Sequence, residues 1–233
     1  MIPAPYTHFY ELTAQPYGNS GLQIDFSITY TDREELDEED IVGEGFTPTD
    51  DFSWSGQLGA AWLPIIDKLV STTKIGPFDE TALDENDDFL EVTIDTGFDD
   101  PEVGTPLDTE TFLYTAQELI QAIYEASGKE KPFQLSYLSY QRSGDCEVHV
   151  QGQFANRTVQ LITVKNQQEK TRTLPWEQLR TLMSRVFARD YIPGEGTAKP
   201  PKRDGHYLDI GGNEWHDIGT FDDVYEALAE LLD

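Results

Sequence analysis

The chain has few residues that could cross-link it or hold it in a membrane. Of its 233 residues only Cys146 is a cysteine, so no disulfide can form within the chain, as is usual in a reducing compartment. The longest nearly apolar stretch, Leu58 to Ile66, falls short of the ~18 residues that a membrane span needs. The start, Met1 to Tyr6, has neither a basic region nor an apolar run, so we expect no signal peptide. We therefore expect a cytoplasmic protein.

Basic residues are also scarce. Lysine and arginine number 16 against 44 aspartates and glutamates, which gives a formal net charge of -28. Residues 1–120 hold 27 acidic and 3 basic residues, whereas residues 142–203 hold 11 basic and 6 acidic ones. Such an acidic body repels phosphates and anionic membranes at long range and favours basic proteins. We expect no direct binding to nucleic acid and none to a membrane, although the charge could also serve solubility alone.

Motifs that name a reaction are missing as well. Cys146 and His149 lie three apart on one predicted strand, so alternation places them on opposite faces. No G-x-S-x-G sequence is present, and neither Gly43–Gly45 nor Gly194–Gly196 leads into a helix that could hold a phosphate. We therefore expect no cofactor, and we recognise no family motif.

Apolar periodicity predicts an α+β fold, with antiparallel sheets and helices packed on one face. The predicted strands are Leu22–Tyr30, Phe52–Gln57, Phe89–Asp95, Phe133–Arg142, Cys146–Gln153 and Arg157–Lys165. The predicted helices run from Pro64 to about Ser71, from the capping box Thr115/Glu118 to Gly128, from Pro175 to about Asp190, and onward from Thr220. The stretches Asp32–Asp51, Gly76–Asp88, Gly97–Leu107 and Ile192–Gly205 read as loops, and the first could hold one helical turn near Glu34–Ile41.

The two halves resemble each other in the order of these elements. A Leu-Pro pair opens the first helix of each half, at Leu63-Pro64 and at Leu174-Pro175. The order predicts an acidic lobe at 1–130 and a lobe of strands and helices at 131–233. We expect these lobes to form one compact unit, because no flexible linker separates them near residue 130.

A predicted hairpin, His206–Ile218, is the strongest candidate for acid–base or metal chemistry. If Gly212-Asn213 forms its turn, Asp209 lies opposite His216; if Gly211-Gly212 turns instead, Asp209 lies opposite Glu214. A metal-dependent enzyme that uses this hairpin is the alternative function. Its candidate catalytic residues are His206, Asp209, His216 and Asp217.

The basic segment, residues 142–203, has two interpretations. It could hold nucleic acid or a phosphorylated ligand, or it could complement the acidic surface of the same protein, within one chain or across a homo-oligomer. Its members around the Pro175 helix are Lys165, Lys170, Arg172, Arg185, Arg189, Lys199, Lys202 and Arg203. A structural subunit of a larger assembly could dock through the same segment.

The acidic half favours a non-enzymatic protein that holds or neutralises a basic protein partner. Immunity proteins and antitoxins are often small, acidic and α+β, and this chain resembles them in composition rather than in any motif. Aromatic residues beside acids are typical of protein-binding hot spots. The candidate partner-binding residues are Glu34, Glu35, Asp37, Glu38, Glu39, Asp40, Phe46, Trp54, Asp84, Asp87 and Asp88.

Overall fold

A computed structural model of the chain describes residues 5–78, 81, 89–98, 100–142 and 144–232. It confirms the α+β fold, with antiparallel sheets and α-helices. The chain divides into two compact units, Met1–Ser127 and Gly128–Asp233, called unit 1 and unit 2 below. No helix among the described residues is long and apolar enough to cross a membrane.

Unit 1 contains two small antiparallel sheets. The first has the order β1-β2-β3, formed by His8–Tyr17, Gly21–Tyr30 and Phe52–Gly59. The second has the order β4-β6-β5, where β4 is Ile75–Gly76, β5 is Val92–Ile94 and β6 is Glu102–Pro106. The helices of this unit are α1 (Glu38–Gly43), α2 (Leu63–Thr72) and α3 (Thr109–Ala126).

The alternation in β2 builds the core of the first sheet, as the sequence predicts. Leu22, Ile24, Phe26 and Ile28 are all buried, whereas Asp25 between them is exposed. Their partners on β1 and β3 lie on the same face because antiparallel neighbours share a face of the sheet. The buried face therefore runs along the central strand.

Helix α3 begins six residues before the predicted capping box. Asp108 is the N-cap, and its carboxylate accepts a hydrogen bond from the Thr111 backbone N–H at 3.1 Å. Thr115 lies inside the helix, where its hydroxyl donates to the Thr111 carbonyl at 3.0 Å. The predicted end is confirmed, because Gly128 follows the helix with a φ of 76°.

Three segments of unit 1, β1, β4 and β6, form strands where the sequence predicts none. β1 alternates only in part, and β6 lies in a stretch that reads as a loop because of its prolines and acids. β6 passes so close to β4 that a Cβ on Gly104 would lie 2.0 Å from the Gly76 carbonyl oxygen. Contact between the strands therefore requires glycine at position 104. Glycine has a low propensity for strands, so the sequence argues against a strand here.

Unit 2 is built on one six-stranded sheet of order β10-β9-β8-β7-β11-β12. The three predicted strand runs are confirmed as β7 to β9, and β10 adds a fourth strand to the meander. The strands are β7 (Phe133–Tyr140), β8 (Cys146–Gln153), β9 (Thr158–Lys165), β10 (Gln168–Leu174), β11 (Gly205–Asp209) and β12 (His216–Asp217).

The helices of unit 2 are α4 (Trp176–Val186) and α5 (Asp222–Leu232), which pack on each other. α4 also packs on β9 and ends four residues before the predicted end at Asp190. Leu135, Val150 and Leu161 of the meander are buried on one face of the sheet. Leu138 and Tyr207 are buried on the other face, where they pack with Trp215.

Candidate functional site

The acidic segment between β2 and β3, residues 32–51, contains helical turns near Glu34–Ile41, as the sequence allows. It begins with a 3₁₀ turn at Arg33–Glu35 and continues into α1. Ile41 anchors α1, since its side chain is 3% exposed. The ten acids of this segment are therefore held on a defined backbone.

Arg33 is the centre of this segment and the one base in it. Its side chain is 6% exposed, and its Nε donates to the Pro5 carbonyl at 3.0 Å. Its Nη1 donates to the Thr47 carbonyl at 2.6 Å and to the Asp50 carboxylate at 2.8 Å. A single guanidinium thus joins the start of the described chain to the end of the acidic segment.

Aromatic rings surround the same guanidinium. The Arg33 Cζ lies 3.9 Å from the centre of the Tyr30 ring and 4.7 Å from that of Phe46. Tyr6 packs edge-on against Phe46 with ring centres 5.2 Å apart, and its hydroxyl donates to the Glu44 carboxylate at 2.6 Å. Cation–π and ring contacts therefore fix the segment to the sheet.

Asp50 is the acidic partner that this arrangement uses. Burial would raise its pKa, but hydrogen bonds from the Thr47 hydroxyl and backbone N–H and from Arg33 outweigh burial, so the pKa of Asp50 is lowered. The two bonds from Thr47 measure 2.7 Å each. Asp50 is therefore a structural carboxylate and not one that a partner could reach easily.

Besides Asp50, the acidic residues of the segment whose side chains are described are all exposed. There are eight of them, namely Asp32, Glu34, Asp37, Glu38, Glu39, Asp40, Glu44 and Asp51. The Glu35 side chain, Asp84, Asp87 and Asp88 lie outside the described part of the chain. Unit 1 as a whole holds 28 acidic and 3 basic residues, so most of its carboxylates have no base within the unit that could neutralise them.

The candidate aromatic residues are less exposed than a hot spot needs. Phe46 is half-buried among Tyr6, Tyr30 and Arg33. Trp54 is also half-buried and covers Gly56, where a Cβ would lie 2.3 Å from the indole ring. Both anchor the segment or the sheet, as hydrophobic side chains at the edge of a core do.

Other apolar side chains are exposed beside the acids. Tyr6 is 41% exposed and Val42 is 56% exposed, and both belong to the structure built around Arg33. Phe9 on the edge strand β1 is 56% exposed. The sequence gives little sign of them, because whether an isolated Tyr or Val is covered depends on the tertiary fold. We call Tyr6, Val42 and the eight exposed acidic residues of this segment the acidic surface.

The C-terminal hairpin does not bring its four candidate residues together. Leu208 pairs with His216 and Tyr207 with Asp217, a register that differs from both predicted ones. Alternation then places His206 and His216 on one face of the sheet and Asp209 and Asp217 on the other. The turn is longer because the Asp209 carboxylate accepts hydrogen bonds from the N–H groups of Gly211 and Asn213, at 2.9 and 3.1 Å.

Each histidine of the hairpin has its own surroundings. His206 Nδ1 lies 2.7 Å from the Tyr137 hydroxyl, and the two rings stack with centres 6.0 Å apart. His216 packs edge-on against Tyr191. No group of three metal-ligating side chains occurs among the described residues.

A row of three polar side chains on β7 and β8 was not predicted from the sequence. Ser136 Oγ lies 2.9 Å from His149 Nδ1, and His149 Nε2 lies 3.3 Å from Glu147 Oε1. Ser136 and His149 border a cavity of about 210 Å³. β7 lies between β8 and β11, so its backbone N–H groups belong to the sheet and are not available to stabilise an oxyanion. We therefore interpret the row as a cross-strand polar cluster.

Comparisons with known proteins add no relative. No protein-family model, curated protein or solved structure matches this chain.

Proposed function

We propose that unit 1 binds a basic protein partner through the acidic surface. The observation that carries this proposal is the set of contacts made by Arg33, which uses one carboxylate of the segment, Asp50, and leaves eight other acidic residues exposed on a fixed backbone. A segment that served solubility alone would not need such a scaffold, because charge confers solubility without fixed positions.

Preorganisation is the physical advantage of this arrangement. A flexible acidic loop loses conformational entropy when a partner orders it, which weakens the complex. In unit 1 the folding of the chain has already met that cost through Arg33, Ile41 and the ring cluster. The exposed Tyr6 and Val42 add apolar area that a partner could bury among the charges.

The partner class follows from charge. Exposed carboxylates attract a cationic surface and speed its association, and this attraction weakens with salt because the Debye length is about 10 Å at 0.1 M. Enzymes that handle nucleic acids carry such surfaces for phosphate. We infer that the partner is a protein of this kind and that binding covers its cationic groove, as an immunity protein or antitoxin would.

Affinity capture from the native host at two ionic strengths tests the proposal, followed by reassembly from purified components. We expect a partner of high pI that binds the purified chain, loses affinity steeply between low and physiological salt, and loses its own activity when bound. If low salt returns no basic protein that binds the purified chain, the proposal is wrong.

A matched pair of variants separates the acidic surface from net charge. The first replaces Glu34, Glu38, Glu39 and Asp40 by the corresponding amides. The second replaces four exposed acids elsewhere in unit 1, namely Asp25, Asp67, Glu91 and Glu102, and changes net charge equally. We expect the first to weaken the purified complex at least about tenfold and the second to change it much less. Equal losses would show that the position of the carboxylates does not matter.

A further inference from the structure

The β9–β10 hairpin of unit 2 carries a cationic cavity that the acidic surface does not involve. The cavity has a volume of about 390 Å³, and every residue that lines it is polar or charged. We call it the hairpin cavity and define it by its lining residues, Thr163, Lys165, Asn166, Gln168, Glu169, Lys170 and Arg172.

The register of the hairpin explains why its bases converge. Gln168 pairs with Lys165, Lys170 with Thr163, and Arg172 with Leu161. Partners across an antiparallel pair share a face, and so do residues two apart on one strand. Lys165, Lys170 and Arg172 therefore lie on one face, as diagonal or next-but-one neighbours. Glu169 alternates to the other face beside Val164 but still borders the cavity.

These three bases have no carboxylate partner among the described residues. The ion pairs of unit 2 involve Arg142, His149, Arg180, Arg189, Arg203 and His216. Arg172 donates to the Leu231 carbonyl instead, which fixes its guanidinium while using one of five N–H donors. Like charges gathered on one face repel one another, and an anion bound among them relieves that repulsion.

We propose that the hairpin cavity binds a small phosphate-bearing anion. Two ammonium groups and a guanidinium, together with the Glu169 carboxylate, give the lining a net charge of two positive units, which matches a phosphate dianion. The Thr163 hydroxyl and the amides of Asn166 and Gln168 add hydrogen-bond donors. A small anion suits the site better than a polyanion, because the net charge of -28 repels a polyanion along its whole length.

Titration calorimetry of the full chain at constant ionic strength tests the site. The probes are inorganic phosphate, ribose 5-phosphate, ribose and a single-stranded oligonucleotide. We expect saturable binding of a phosphate probe and none of ribose. Inorganic phosphate as the tighter ligand would indicate a free phosphate site, and ribose 5-phosphate as the tighter one a site for a phosphorylated metabolite. No saturation by either probe, or tighter binding of the oligonucleotide, would overturn the proposal.

Two double variants keep the test specific. Lys165→Gln with Lys170→Gln removes two exposed cavity bases, whereas Lys199→Gln with Lys202→Gln removes two exposed bases of unit 2 outside the cavity. We expect the first pair to weaken phosphate binding about tenfold or more and the second to change it less than about twofold. An equal effect of both would mean that only net charge matters. Loss of a dimer in the first variant, measured by light scattering, with phosphate binding unchanged, would assign the cavity to a second copy of the chain.

Discussion

The Arg33 guanidinium lies 2.8 Å from the Asp50 carboxylate, and these two residues stand near opposite ends of the acidic segment. Their pairing turns a sequence of ten acids, which reads as a solvated loop, into a closed structure. Because both also bind Thr47, through its carbonyl and through its N–H and hydroxyl, the cluster depends on each member.

Replacing Arg33 by alanine should open the acidic segment. The change removes three hydrogen bonds and leaves Asp50 partly buried without its cation, at a cost of about 2–4 kcal/mol in the free energy of unfolding. Urea unfolding measures that cost, and limited proteolysis within 32–51 reports the opening. Lys68→Ala is the control, since Lys68 is an exposed base on α2. Equal stability of the two variants would contradict the central role of Arg33.

Acid should also open the acidic segment, because protonation of Asp50 removes its ion pair with Arg33. The pKa of Asp50 is lower in the folded chain than its unfolded value of about 3.9. Its contribution to stability is therefore fully present above about pH 4 and is lost as pH falls through the folded pKa. Asp50→Asn should be less stable than the wild type at pH 7, and the gap should narrow toward pH 3. Urea midpoints across this range measure the gap, and a gap independent of pH would rule out ionised Asp50 as the cause.

Local pattern predicted those elements whose burial alternates along one strand or one helix face. β2 was predictable because Leu22 and Phe26 are buried and Asp25 is exposed, which is a property of the strand itself. Strand β6 was not, because the need for Gly104 arises from its approach to Gly76 on another strand. Propensity counts a glycine against a strand whatever stands across from it.

The negative charge of the acidic surface could be predicted from the sequence, but the contacts that hold the surface in place could not. The acids of 32–51 are visible in the sequence, whereas the role of Arg33 depends on Pro5 and Asp50, which lie 28 and 17 residues away. The hairpin cavity was likewise predictable only in its charge. Lys165 and Lys170 are visible as bases, but only the register of β10 against β9 places them on one face.

The first sheet of unit 1 should not tolerate a side chain at position 21. Gly21 has a φ of 154°, and a Cβ there would lie 1.9 Å from the Leu58 carbonyl oxygen. Gly21→Ala must therefore separate β2 from β3, and we expect a loss of about 2 kcal/mol or more. Gly43→Ala on α1 is the control, because its Cβ would meet nothing within 4 Å. Thermal unfolding compares the two, and similar melting temperatures would contradict the close approach.

Glycine should instead improve the turn that closes the hairpin cavity. Asn166 and Gln167 have φ values of 52° and 63°, and together they form the two-residue connection between β9 and β10. Such turns favour glycine at the second position, because a residue with a Cβ is strained in the left-handed region. We expect Gln167→Gly to raise the free energy of unfolding by about 0.5 kcal/mol, after the greater entropy of the unfolded chain is counted. Gln160→Gly, at an exposed position in the regular strand β9, should lower it by a similar amount. If both variants shift the urea midpoint in the same direction, backbone strain at Gln167 is not what limits the hairpin.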